Sequence, residues 1–157
     1  MFDRLDEREY LILSYVTMRE PVTAYRIAVD NRLFFSYTYK KVVELERRGF
    51  LASAAASRGQ RVYKATPMGI IALIQREGPR RYLVDKLASK WGLDGPRALA
   101  LVEKVAKLYR PDMPINDVEL LYIYLAKRGL IDGELAAILS PVAERVRASL
   151  RVVCTSV

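Results

Sequence analysis

At 157 residues, with 52% hydrophobic and 28% charged side chains, the chain has the balance of a soluble globular protein, either one ordinary domain or a small domain with an appendage. It has no histidine and a single cysteine, which excludes Cys/His zinc sites and nucleophile systems of the Ser-His-Asp or Cys-His kind. The net charge of +8 is unevenly spread: residues 32–64 hold eight basic and two acidic side chains, residues 1–31 four and six, and residues 65–157 fourteen and ten. A concentrated basic segment of that sort is the footprint of a polyanionic partner.

The N-terminus, MFDRLDEREY, is too charged for a signal peptide. The first helix is expected over residues 7–18 and is interrupted by Pro21, which disfavours helix at the residue before it. Thr23 then caps a short second helix, AYRIAVD, which buries Ala24, Ile27 and Ala28. After the connection NRLFF, Ser36 is the expected N-cap of a third helix that stops at Gly49. Its apolar stripe is Thr38, Val42 and Leu45, spaced i, i+4, i+7. Tyr37, Lys40, Lys41, Glu44 and Arg47 fall on the other side.

Ser57-Arg58-Gly59-Gln60 reads as the turn of a β-hairpin with glycine at a positive φ; RVYKAT alternates as a strand, whereas the alanine-rich arm before the turn has weak strand propensity. Thr66-Pro67 opens a further helix, PMGIIALIQRE. Gly78-Pro79 marks a boundary between domains 1–78 and 79–157. Beyond it helices are expected at residues 80–91, 95–109, 116–128 and 132–151, with no further strand. The densest apolar run, LLYIYLA at residues 120–126, is far too short to cross a bilayer, and the unpartnered Cys154 fits a reducing compartment, so the expected location is cytoplasmic with no membrane association. Two Asn, two Gln and an Arg excess of 18 over 8 Lys suit a thermophilic source.

The fold class is therefore mainly α with a small β-hairpin, in the order helix, helix, helix, hairpin, helix. With EYLILSYV, PVTAYRIA, SYTYKKVVELERRGFL and RVYKATPMG in that order, residues 5–76 resemble the PadR-like and MarR-like winged helix-turn-helix transcriptional regulators. Ala24-Tyr25 stands where the PadR pattern has Gly-Tyr, and Ala65 where these families have leucine. The resemblance implies a DNA-binding module, usually dimeric, with the third helix in the major groove of double-stranded DNA and the hairpin wing on the backbone.

On that expectation Ser36 and Tyr37 suit phosphate or base-edge hydrogen bonds, and Lys40 or Lys41 a donor to guanine. Tyr39 is either a phosphate contact or a core-edge aromatic, and Tyr25, where these families place a phosphate-contacting tyrosine, is either that or a packed aromatic. Glu44 is a cytosine acceptor or the i, i+4 partner of Lys40. Arg47, with Arg48, ranks below the lysines because the helix dipole alone explains a cation there. Arg58 and Arg61 at the wing tip, with Lys64 further along, are expected against phosphates.

In the second half, a basic cluster at residues 80–110 is either a solvated face or an extension of the footprint. Leu139, Val142, Val146 and Leu150 suit a helical seam against a second subunit, making a homodimer the expected assembly, and packing within one subunit explains them equally. No effector is identifiable. Scattered carboxylates and the lack of a phosphate-binding loop or metal cluster give no ground for an enzyme or a cofactor. The alternative is a protein–protein interaction module built on a winged helix, against which the wing arginines speak, since interface cores are depleted of charge.

Overall fold

The computed structural model describes residues 5–92 without interruption and, beyond them, residues 96, 99–100, 125–127, 129, 133–138, 140, 143–144 and 147–148. Helix α1 (Glu7–Arg19) starts at a capping box. The Asp6 carboxylate accepts from the Glu9 amide at 2.7 Å, and the Glu9 carboxylate accepts from the Asp6 amide at 3.0 Å. Thr23 caps α2 (Ala24–Asp30) by accepting from the Arg26 amide at 3.1 Å, as expected.

Helix α3 (Phe35–Arg47) begins two residues earlier than the serine signal implies. Its N-cap is Phe34, whose carbonyl accepts from both the amide (3.0 Å) and the hydroxyl (2.9 Å) of Thr38, so Ser36 lies inside the first turn and caps nothing. The helix ends as expected. Gly49, at φ 84°, lets its own amide reach the Glu46 carbonyl and the Phe50 amide reach the Leu45 carbonyl, the two bonds of a Schellman motif.

Strands β1 (Leu51–Ala55) and β2 (Arg61–Ala65) pair antiparallel in the register Leu51↔Ala65 to Ala55↔Arg61. Cross-strand pairing with β2 outweighs the weak propensity of the alanines. A third element joins them without any signal in the sequence: Val22 bridges Tyr63, exchanging amide–carbonyl bonds of 3.2 and 2.7 Å, so the hairpin is tied to the link between α1 and α2. Helices α1–α3, the hairpin and the following helix α4 (Pro67–Glu77) make the winged helix-turn-helix arrangement.

The last of the resembling motifs has a physical explanation. Thr66 caps α4 by accepting from the Gly69 amide at 3.0 Å, donates its hydroxyl to the Gly49 carbonyl at 2.6 Å, and sends its own amide to the Phe50 carbonyl at 3.1 Å. Gly69 is required because a Cβ there would stand 2.2 Å from the Phe50 carbonyl oxygen.

The core does not stop at Gly78. Helix α5 (Arg81–Trp91) buries Leu83, Val84, Leu87, Ala88 and Trp91 in the same cluster as Ile12, Leu13, Ile27, Leu45, Phe50 and Ile70. A carboxylate fastens it there. Glu20, nearly enclosed, accepts from the Ala65 amide at 2.7 Å and faces Lys90 Nζ at 2.8 Å and Lys86 Nζ at 3.5 Å. A helical segment Gly133–Ile138 is described further on, and Leu125 reaches the core. The expected dimer seam of Leu139, Val142, Val146 and Leu150 lies outside the described residues. No described helix is long and apolar enough to cross a membrane.

Candidate nucleic-acid interface

At about 100° per residue, α3 presents four faces. Thr38, Val42 and Leu45 are buried, as the stripe implied. Toward the wing lie Phe35, Tyr39 and Glu46. Toward the start of α1 lie Tyr37, Lys41, Glu44 and Arg48. Facing outward are Ser36, Lys40, Val43 and Arg47, all exposed. The single charged side expected for the helix is thus divided in two.

Lys41 departs from the expected role of a base-reading donor. Its Nζ lies 2.7 Å from Asp6 Oδ2 and 5.8 Å from the Tyr37 ring centre, so it clasps α3 to the α1 cap. The hydrogen bond to Asp6 raises its pKa. At Asp6, burial works against the charged form, but the bonds from Lys41 and the Glu9 amide outweigh it and hold the carboxyl at about 2. Arg48 is similarly engaged, 2.8 Å from the buried Glu9 carboxylate with its guanidinium 5.0 Å from the Phe50 ring centre.

Glu44 does not pair with Lys40. It accepts from Arg47 Nε at 2.9 Å, and that bond lowers its pKa. Lys40 consequently has no carboxylate partner. Among the described residues the same holds for Arg32, Arg58, Arg61 and Lys64 of the basic segment and, outside it, for Arg8, Arg19, Lys127 and Arg147.

The wing tip is more contorted than a glycine turn requires. Arg58 (φ 62°, ψ 29°) and Gly59 (φ 72°) both occupy the left-handed region, and the Ala56 amide closes the loop onto the Gln60 carbonyl at 2.7 Å. A side chain in that region costs roughly 1–2 kcal/mol, which glycine avoids. Arginine nonetheless stands there, exposed.

Arg61 is braced by a relay. Its Nε and Nη2 donate to Ser53 Oγ at 3.2 and 3.0 Å, and Ser53 donates in turn to Glu46 of α3 at 2.6 Å. This is possible because Ser53, Arg61 and Tyr63 share one face of the hairpin. Lys64 is on the other face, with Ala52, Ala54 and Val62, so the two expected phosphate contacts are separated.

Tyr25, Tyr39 and Arg61, distant in sequence, line one groove of about 420 Å³ between α2, α3 and the wing, together with Phe35, Gln60 and the buried Tyr63. Tyr25 and Tyr39 are exposed rather than packed. The phenol of Tyr63 is shifted to higher pKa by burial and then by the field of Glu46.

Sequence reasoning missed Val43 and Phe35, because an apolar residue in an amphipathic helix is assigned to the core by default. It also missed Arg32, which holds φ 55° in the turn between α2 and α3. The accessible signal was the two apolar positions of α3, Phe35 and Val43, that lie off its buried stripe.

No family model and no curated protein matches the chain. Among solved structures, the PcaV transcriptional regulator from Streptomyces coelicolor, in complex with its natural ligand, is similar at 16% identity with a TM-score of 0.43, over 80% of this chain and 74% of that one. A likeness at that distance assigns neither family nor ligand to this protein.

Proposed function

We propose that the protein is a sequence-specific, double-stranded-DNA-binding transcriptional regulator, with α3 in the major groove and the wing on the backbone. The observation that carries this is the concentration, in residues 32–64, of exposed cations without a carboxylate partner among the described residues. Lys40, on the outward face, donates to a base edge, and Val43 beside it meets a thymine methyl. Arg58 holds a phosphate, and Arg61 a second. The first-turn amides of α3, which have no side-chain cap, favour a phosphate oxygen as well. Ser36 contributes from the outward face and Tyr37 beside it, while Arg47 is held by Glu44 and Lys41 by Asp6, which removes both from the leading contacts.

The region from about residue 93 onward serves dimerisation, so two copies read half-sites about one helical turn, ~34 Å, apart. A gel-shift titration across salt tests the assignment. Log K is expected to fall by roughly 0.9 per phosphate neutralised for each log unit of salt. Duplex binding that is absent, or indifferent to salt, removes the reading. Lys40→Ala should change sequence preference, while Arg58→Ala should weaken all sequences alike.

A further inference from the structure

The same surface is unusually aromatic. Phe34 is 84% exposed, Tyr25 66%, Phe35 51%, Tyr39 48% and Tyr37 39%, all from α2 and the start of α3. Elsewhere among the described residues only Tyr82, at 36%, counts as an exposed aromatic. Phe35 and Tyr39 adjoin, ring centres 6.0 Å apart and planes inclined by 30°, making a continuous wall on one side of the groove. Tyr25 supplies a further aromatic wall, and the groove lining also includes Tyr63, the Gln60 amide and Arg61. None of the lining residues is acidic.

A paired duplex offers this surface phosphates and groove edges but no π-face, so the rings would gain little from it. An unpaired nucleobase offers a flat face to stack, an edge for an amide and a phosphate on either side. A protein partner fits less well, since the groove is lined by Arg61, and exposed cations, Lys40 and Arg58, adjoin its lining residues Tyr39 and Gly59 in the chain.

We propose that the groove between α3 and the wing receives an unpaired nucleobase, so that the protein binds locally opened DNA in preference to the fully paired form. The base stacks on the Phe35–Tyr39 wall opposite Tyr25. Gln60 meets its edge. Arg61, whose Nε and one Nη are committed to Ser53, retains its other N–H groups for the adjoining phosphate. Phe34, projecting at the N-terminus of α3, wedges into the step from which the base has left. This rests on the DNA-binding reading above and adds the state of the DNA that is bound.

The test is fluorescence anisotropy of the full chain on three labelled oligonucleotides of equal length: a duplex, the same duplex with a central mismatched bubble, and one strand alone. A 2-aminopurine in the bubble reports stacking. Base–aromatic stacking predicts about tenfold tighter binding to the bubble than to the duplex, with a change in 2-aminopurine emission. Phe35→Ala should abolish most of that preference while leaving duplex binding within about twofold, and Phe35→Trp should restore it. Tyr39→Ser, at an exposed site where folding is spared, should lower bubble affinity more than duplex affinity. Equal binding of bubble and duplex overturns this inference and leaves the duplex reading standing. A bubble preference that survives both variants overturns the groove assignment. Binding to none of the three probes removes both.

Discussion

Two stretches of this chain look equally basic on paper and are put to opposite uses. Between residues 76 and 90, Arg76, Arg80, Arg81, Lys86 and Lys90 each have a carboxylate within ion-pair distance, and three of the acids, Glu20, Glu77 and Asp85, belong to or directly brace α4 and α5. Between residues 32 and 64, Lys41, Arg47 and Arg48 are paired, but Arg32, Lys40, Arg58, Arg61 and Lys64 have no carboxylate partner among the described residues. A cation with an internal partner contributes to the fold, and its charge is largely cancelled at a distance. One without a partner contributes little to the fold and projects its field outward. Net charge cannot separate the two cases. Pairing can.

The sharpest way to break that contrast is at Glu20. Glu20→Ala strands Lys86, Lys90 and the Ala65 amide at once, and loss of one side of an enclosed ion pair predicts a stability loss of about 3 kcal/mol. Denaturant unfolding measures it, and a loss below about 1 kcal/mol would mean that these lysines are solvated after all. Arg58 should behave in the opposite sense. Arg58→Asn relieves a left-handed arginine and should raise stability by about 0.5–1 kcal/mol, while the salt slope of duplex binding drops by about one. A variant that is both less stable and unimpaired in binding would reverse the assignment of the wing tip.

The smallest effect belongs to Asp6, whose carboxyl titrates at about 2 in the folded chain against 3.8 for the ordinary group. A depressed carboxylate lends stability above its unfolded pKa and loses it as pH falls through the folded one, here between pH 4 and 2. Because the side chain is half exposed, screening limits the contribution to about 1 kcal/mol or less. Asp6→Asn keeps the cap and removes the charge. It should therefore lower the melting temperature slightly at neutral pH and leave it nearly unchanged below pH 2, so that the acid limb between pH 4 and 2 flattens. An acid limb of undiminished slope would show that Lys41 does not depend on Asp6.

What was legible in the sequence was local. The Thr23 and Thr66 caps, the Gly49 stop and the Thr38-Val42-Leu45 stripe each depend on residues within one or two turns. The choice between Lys40 and Lys41 was not legible, although the two are adjacent. It is decided by Asp6, thirty-five positions away, and by the 100° that separates neighbours on a helix. Glu44 had two basic residues in reach, and the forked guanidinium of Arg47 took it. The membership of α5 in the first core was hidden for the same reason: Gly78-Pro79 does break the helix, but a break in a helix is not a break in a core. The aromatic groove is built from three separate segments, and no window of sequence contains it.

The knot at the base of the hairpin has a mechanical meaning. Gly49, Phe50, Thr66 and Gly69 lock the exit of α3, the entry of β1 and the start of α4 within a few ångströms, and Val22 pins β2 at its middle. The hairpin is therefore a cantilever, clamped at the root and along half its span, and free at the end that carries Arg58. Bending is confined to the last residues before the tip, so the arginine can follow an uneven surface while the angle between wing and α3 stays fixed.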